Sequence, residues 1–202
     1  MREHVLGYHA FSWKSLMQVE TNKKLFTVDE YYRMAEAGIL KPEDRVELID
    51  GEVIEMSPIG QRHFGAMNRA NRVFTSTFGN RVQVSVQGPL RLSDYTEPEP
   101  DVVLLKPRVD DYSLKFPTPD DVFLVLEIAD TSLSYDRKVK VPRYAAAGVP
   151  EVWIENLKDE VLLVYRKPIG GAYSTSLVFG RGESVSLVAQ PDVVFLVENL
   201  LV

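Results

Sequence analysis

The stretch that decides the fold is Asp120–Ser132, DDVFLVLEIADTS, in which one acid, Glu127, interrupts an otherwise apolar run. The run Phe123–Leu126, continued by Ile128, is typical of a strand that is buried on both faces of an α/β sheet. A carboxylate at such a place costs roughly several kcal/mol unless it has a partner. That partner could be a hydrogen-bond network, a cation or a metal ion.

The composition is that of an ordinary soluble globular protein. The 202 residues are 45% hydrophobic and 26% charged, and we find neither a membrane-spanning run nor a signal peptide. Cysteine is absent, which excludes disulfides and thiolate metal sites and is compatible with a cytoplasmic location. The net charge of −6 argues against a protein that coats nucleic acid, although a local basic patch or a cluster of acids around a metal stays compatible with it.

The chain divides into an N-terminal extension over residues 1–24 and a single domain over residues 25–202. Thr27 and Glu30 form a capping-box pattern that predicts the start of a helix, and Gly38 is placed to end it. Asp50-Gly51 lies between two alternating segments and predicts a hairpin with a type I′ turn. Further helices are predicted over residues 60–80 and 135–148, and strands over 81–93, 101–105, 122–129, 150–156 and 160–168.

Four side chains stand out as candidates for chemistry: Glu47, Asp101, Glu127 and Lys140. Asp and Glu oxygens are the hard ligands that suit Mg²⁺ or Mn²⁺, and Mg²⁺ usually takes one or two protein carboxylates. Acids on neighbouring strands, with a lysine from the next helix, would explain why Glu127 is tolerated. The lysine could orient water or stabilise charge at phosphorus.

Each candidate also has a purely structural interpretation. Asp101 follows a proline and could cap the entrance of its strand, and Glu127 could pair with a buried Arg or Lys without any metal. Lys140 forms an i, i+4 pair with Asp136, and helix geometry alone favours a surface ion pair. Glu47 alone would be a surface acid beside the hairpin.

The combination of motifs resembles the Uma2 family, also catalogued as DUF820, of the PD-(D/E)XK nuclease superfamily. The resemblance rests on LFTVDEYYRM (25–34), RVELIDGEVIEMSPIGQRH (45–63), EPEPDVVLL (97–105) and LVLEIADTSLSYDRKVK (124–140), and it extends from Leu25 to the C-terminus. It implies a restriction-endonuclease-like α/β fold, in which helices flank a mixed central sheet. It also implies an endonuclease that depends on Mg²⁺ or Mn²⁺, with DNA as the substrate.

The resemblance also implies roles for particular acids. Asp101 of the Pro100-Asp101 pair matches the PD motif as a metal ligand, and Glu127 matches its second acid. Glu47 matches an early acid that could hold a second metal or order the water network. His63 matches a histidine at the start of a helix, whose role stays open between a structural hydrogen bond and a phosphate contact.

The chain departs from the superfamily motif at the lysine. Two residues after Glu127, where the usual motif has lysine, this sequence has Ala129. The family instead supplies the lysine from the following helix, at the position of Lys140. Pro142 lies in that helix, where a proline beyond the first turn would kink it and move Lys140.

Two functions therefore compete on the sequence. The first is a metal-dependent endonuclease, and the alternative is a catalytically weak or inactive nuclease-fold module that binds nucleic acid or a protein. Arg62, Arg69 and Arg72 share a helix face that could contact nucleic acid, although a solvated face is favoured. A two-carboxylate glycosidase is weakly supported because it needs no Lys140. A homodimer through a sheet edge or an exposed C-terminal VVFLVENLLV (193–202) is a further prediction.

Overall fold

A six-stranded mixed sheet forms the centre of the domain, as the sequence predicts. A computed structural model describes residues 22–41 and 43–202, so most of the predicted extension 1–24 lies outside the described residues. The strand order is β3–β4–β5–β6–β7–β8, and only the β5–β6 pair is parallel. The strands are β3 (Gln83–Val86), β4 (Val102–Leu105), β5 (Val122–Ala129), β6 (Glu151–Asn156), β7 (Val161–Ile169) and β8 (Ala172–Phe179).

Strands β5 and β6 are the most buried part of the sheet. Seven of the eight residues of β5 and all six residues of β6 are buried, which matches the continuous apolar pattern of Val122–Ala129. Parallel neighbours need a crossover connection, and a helical segment over residues 133–147 supplies it. Strand β3 is shorter than predicted because Gln87 adopts a positive φ of 48° and a glycine and a proline follow.

Helix α1 (Val28–Glu36) begins and ends where the sequence predicts. The Thr27 hydroxyl accepts a hydrogen bond from Glu30 N at 3.1 Å, and the Glu30 carboxylate accepts one from Thr27 N at 3.0 Å. Gly38 has a φ of +71°, which favours glycine and closes the helix. Helix α2 (Gln61–Phe78) packs Ala66, Met67, Ala70, Phe74 and Phe78 into the core on one face of the sheet.

The helix that connects β5 to β6 changes its pitch along its length. A short α-helical turn, α3 (Leu133–Tyr135), leads into a π-helical segment (Asp136–Lys140) and then into α4 (Val141–Ala147). Pro142 lacks an N–H group and its ring would clash with a carbonyl in a continuous α-helix. Pro142 lies in the first turn of α4, where a proline is tolerated, and the π-helical segment ends two residues before it. No helix in the described range is long and apolar enough to span a bilayer.

The predicted hairpin consists of β1 (Val46–Ile49) and β2 (Glu52–Glu55). Asp50 and Gly51 both have positive φ, of 51° and 77°, which is the requirement of a type I′ turn. Phe26 N donates a hydrogen bond to the Gly51 carbonyl at 2.8 Å. This contact holds the turn against the segment before α1. The open end of the hairpin lies beside the candidate active site.

The prediction of an exposed C-terminal segment is wrong for most of its apolar residues. A second hairpin, β9 (Ser184–Leu187) and β10 (Gln190–Leu196), precedes a 3₁₀ turn (Val197–Asn199). Side chains alternate along a strand, and only Val194 and Leu196 point to solvent. The apolar residues that enter the core are Val193, Phe195, Val197, Leu200 and Leu201.

Candidate active site

One cavity of about 470 Å³ collects all four predicted residues, Glu47, Asp101, Glu127 and Lys140. The hairpin, the start of α2, the segment that leads into β4, the end of β5 and the π-helical segment form its walls. Acidic side chains outnumber basic ones in its lining. The seven acids are Glu47, Glu55, Glu99, Asp101, Glu127, Asp130 and Asp136, and the three basic residues are Arg45, His63 and Lys140.

Asp101 lies directly before β4 and is held on both carboxylate oxygens. Oδ2 accepts a hydrogen bond from Ile128 N of the neighbouring strand at 2.8 Å, and Oδ1 lies 2.7 Å from His63 Nε2. Asp101 thus caps a strand and lines the cavity at once. Burial disfavours the protonated imidazole, but the hydrogen bond and charge of Asp101 outweigh it and raise the pKa of His63. His63 therefore makes a structural hydrogen bond, and a phosphate contact stays a prediction.

One carboxylate oxygen of Glu127 contacts both a cation and a hydroxyl group. Oε1 accepts a hydrogen bond from the Tyr144 hydroxyl at 2.6 Å and lies 3.3 Å from Lys140 Nζ. No hydrogen bond within the described range uses Oε2. Burial raises the pKa of Glu127 to about 8, although the charge of Lys140 acts in the opposite direction. Glu127 therefore pairs with a buried lysine, and the binding of a metal ion stays a prediction.

Glu47 is buried and is not the surface acid that its isolated position suggests. Its Oε2 lies 3.1 Å from Lys140 Nζ and accepts a hydrogen bond from Glu99 N at 3.2 Å. Its Oε1 accepts a hydrogen bond from the Tyr135 hydroxyl at 3.2 Å. The hairpin therefore contributes an acid that fixes the position of the lysine, because the burial of Leu48 and Ile49 beside it anchors β1.

The predicted surface ion pair between Asp136 and Lys140 is wrong. Both residues are buried, with 3% and 7% of their surface exposed. The π-helical segment runs between them, and the Asp136 carboxylate instead accepts a hydrogen bond from the Ser132 hydroxyl at 2.7 Å. Burial lowers the pKa of Lys140, but the carboxylates of Glu127 and Glu47 outweigh burial and hold that pKa above its ordinary value. Lys140 therefore lies in the cavity between two acids that favour its charged form.

The sequence did not identify two tyrosines that hold the acids. Tyr144 donates to Glu127 and Tyr135 donates to Glu47. Tyr144 follows Lys140 by four residues, and this spacing on a helix could have identified it. Tyr135 carries no comparable signal, because its contact spans 88 residues of sequence.

The arginines of α2 do not form a free basic face. Arg62 donates to the Leu157 carbonyl at 2.9 Å and Arg69 donates to the Leu201 carbonyl at 2.7 Å. These contacts tie the helix to the end of β6 and to the C-terminal segment. Arg72 alone of the three is exposed without such a contact in the described part of the chain.

Known proteins resemble this chain in sequence family and in fold. A family model, Uma2, described as "Putative restriction endonuclease", matches residues 28–198. A solved structure, "Crystal structure of a putative nuclease belonging to DUF820" from Anabaena variabilis, has a TM-score of 0.69 at 15% identity, over 87% of this chain and 97% of that one. No curated protein matches the chain. The likeness to the solved structure confirms the predicted nuclease-type fold.

Proposed function

The chain belongs to the Uma2 family, and on that premise we propose that it is an endonuclease that uses Mg²⁺ or Mn²⁺ to hydrolyse phosphodiester bonds, with DNA as the substrate. Family membership supports a nuclease-like function, and the metal and the substrate are the further steps of the proposal. One observation carries it: Asp101 from the segment before β4, Glu127 from β5 and Lys140 from the π-helical segment line the same cavity.

The donor set of the cavity fits a hard divalent cation. Within residues 22–41 and 43–202, no three His, Cys, Asp or Glu side chains form a metal cage. Mg²⁺ commonly needs only one or two carboxylates, because water and substrate phosphate complete its shell. Asp101 and Glu127 would hold the ion, and Glu47 would order the surrounding shell through Lys140. A cation there would also reduce the repulsion between the seven cavity acids and a phosphate.

The residues of the cavity have separate tasks in hydrolysis. A bound divalent ion would polarise the phosphodiester and lower the pKa of water, which is the chemistry that such ions supply. Lys140 would stabilise the negative charge that develops on the phosphoryl oxygens. Glu47 holds the Lys140 ammonium in position at 3.1 Å, and His63 holds the Asp101 carboxylate at 2.7 Å.

A nuclease-fold module that binds nucleic acid or a protein without turnover is the second candidate. The raised pKa of Glu127 favours it, because a carboxyl that holds its proton more tightly is a poorer metal ligand. Metal binding would have to displace that proton. The two candidates differ in whether a divalent ion can compete for Glu127 at the pH of the assay.

A cleavage assay separates the candidates. Purified protein is incubated with plasmid DNA, single-stranded DNA and RNA in the presence of Mg²⁺, Mn²⁺ or EDTA. We expect metal-dependent cutting that is lost in Asp101→Asn and in Glu127→Gln. Asp192→Asn removes an exposed acid outside the cavity lining and should cut like the unsubstituted protein. Binding without cutting in any metal would support the second candidate, and cutting that survives both cavity substitutions would refute the first.

Self-association stays a prediction. The C-terminal strand keeps Val194 and Leu196 exposed, and the edge strand β8 exposes Val178. These residues are the candidates for a homodimer surface. Light scattering coupled to size-exclusion chromatography would show a dimer mass, and a monomer at every concentration would contradict it.

A further inference from the structure

Arg45 differs from the other two basic residues of the cavity in what it contacts. Lys140 lies 3.1 Å from a carboxylate and His63 lies 2.7 Å from one. In the described part of the chain Arg45 forms no ion pair, and its side chain donates only to the main-chain carbonyl of Ser57, at 3.0 Å. Arg45 is therefore the one basic residue of the cavity lining whose charge is not matched to an acid in those residues.

The hairpin fixes Arg45 in place. Met56 N donates to the Arg45 carbonyl at 2.7 Å, next to the first pair of the β1–β2 ladder. Arg45 directly precedes β1, two residues before Glu47, and both residues line the cavity. A guanidinium has five N–H donors. The contact with Ser57 uses one of its nitrogens and leaves the guanidinium able to bind a ligand.

The charge of Arg45 acts inside the cavity. Burial and the neighbouring Glu47 raise the pKa of Glu99, and the positive charge of Arg45 opposes that rise. A phosphodiester that approaches seven acids needs an attractive charge that is not already neutralised. Lys140 and His63 are committed to cavity acids, which leaves Arg45 to attract it.

We infer that Arg45 binds the phosphate backbone of the substrate strand beside the bond that is cut. A planar guanidinium can donate two parallel hydrogen bonds to the non-bridging oxygens of one phosphate. Arg45 is then a substrate-binding residue, which positions the strand against the acids and Lys140. This inference rests on the proposed nuclease function. It adds to that function the guanidinium that attracts a polyanionic substrate into an acidic cavity.

A binding experiment tests the inference independently of cleavage. Fluorescence anisotropy measures the affinity of the unsubstituted protein, Arg45→Gln and Arg45→Lys for a labelled DNA oligonucleotide, with Ca²⁺ in place of Mg²⁺ and over a range of salt concentrations. Arg33→Gln is the matched control, because Arg33 is also an arginine that donates to one main-chain carbonyl but it lies outside the cavity lining. Thermal unfolding of each variant establishes that it is folded.

We expect Arg45→Gln to weaken binding about tenfold, as the loss of a charge-assisted contact would. The slope of log affinity against log salt should fall by about 0.7–0.9, the value for one phosphate contact. Arg45→Lys should lie between the two, and Arg33→Gln should match the unsubstituted protein. Equal affinity and salt slope in Arg45→Gln would overturn the inference while leaving the nuclease proposal intact. DNA binding that depends on Arg45 without cutting in any metal would support the phosphate contact of Arg45 but refute the nuclease proposal and the place of that contact beside a cut bond, and absence of DNA binding would overturn both.

Discussion

Two buried acids on neighbouring strands, Glu127 of β5 and Glu151 of β6, are stabilised in different ways. Glu151 is fully enclosed by donors. Trp153 Nε1 and Arg166 Nε donate to its Oε1 at 2.6 and 2.7 Å, and Val188 N donates to its Oε2 at 2.8 Å. Arg166 also donates to the Ser186 carbonyl. Glu151 thus joins the central sheet to the second hairpin, and it is an architectural acid.

Glu127 is held on one side only. Tyr144 and Lys140 both approach Oε1, and the residue lines the cavity, whereas Glu151 does not. The two acids also lie at opposite ends of their parallel strands, since Glu151 opens β6 and Glu127 is near the carboxyl end of β5. Ligand sites of α/β sheets form at the carboxyl ends of strands. A buried acid that retains a free oxygen toward a cavity is therefore the better functional candidate.

The largest expected effect is on stability at the enclosed acid. Glu151→Gln removes the charge that neutralises Arg166, whose side chain is only 17% exposed. Breaking a buried ion pair from one side costs about 3–5 kcal/mol. Urea denaturation should show that loss in the free energy of unfolding, while cleavage per folded molecule stays unchanged. A stability loss without loss of turnover is the expected signature of an architectural acid, and an inactive but stable variant would contradict it.

Substitution of Lys140, the cation of the cavity, should affect turnover, in contrast to the effect of Glu151→Gln on stability. Lys140→Met removes the charge between Glu47 and Glu127, and we expect cleavage to fall about 10²–10³-fold, as for the loss of one stabilising donor at a transition state. Lys140→Arg keeps the charge and should retain more activity. Single-turnover rates on plasmid DNA measure the difference. Equal rates in the protein and in Lys140→Met would remove the lysine from the mechanism.

A smaller effect is expected at the hydroxyl that holds Glu127. Tyr144→Phe deletes the donor at 2.6 Å and should lower turnover about tenfold, which is the usual cost of losing a group that orients a ligand. Tyr173→Phe is the control, because its hydroxyl donates to the Val149 carbonyl at 2.7 Å away from the cavity lining. If both variants lost turnover equally, the contact with Glu127 would have no special role.

A further effect is a slope of stability with pH. Burial raises the pKa of Glu127 from 4.5 to about 8 in the folded chain, so the folded state binds a proton that the unfolded state releases. The stabilising contribution of this proton is present below about pH 4.5 and is lost as the pH rises through about 8. Urea denaturation in EDTA should therefore show the unsubstituted protein losing stability relative to Glu127→Gln over that window. A difference that does not vary with pH would contradict the raised pKa.

Local signals in the sequence predict most of the fold. The capping box at Thr27 and Glu30 and the Asp50-Gly51 turn are encoded by adjacent residues, and each is found where predicted. The run Val122–Ala129 matches β5 residue for residue. The sequence does not predict the burial of the C-terminal strand, because one of its faces is covered only by packing against residues distant in the chain.

The site is only partly readable from sequence. Asp101 and Glu127 can be predicted as site residues, because Asp101 stands at the start of one strand and Glu127 lies within another. The burial of Lys140 depends on the π-helical segment before Pro142, which changes the face that the lysine occupies and which no helical period predicts. The partnership of Glu47 with Lys140 links the hairpin to a helix 93 residues later and could be inferred only through the family resemblance.

The most direct test is the binding of Mn²⁺ to the protein without nucleic acid. Titration followed by the electron paramagnetic resonance signal of free Mn²⁺ counts bound ions. We predict a site on each chain that is lost in Asp101→Asn and in Glu127→Gln and is retained in Glu151→Gln. Mn²⁺ binding that is unchanged by both cavity substitutions, or absent from the unsubstituted protein across neutral pH, would contradict a metal-dependent active site between Asp101 and Glu127.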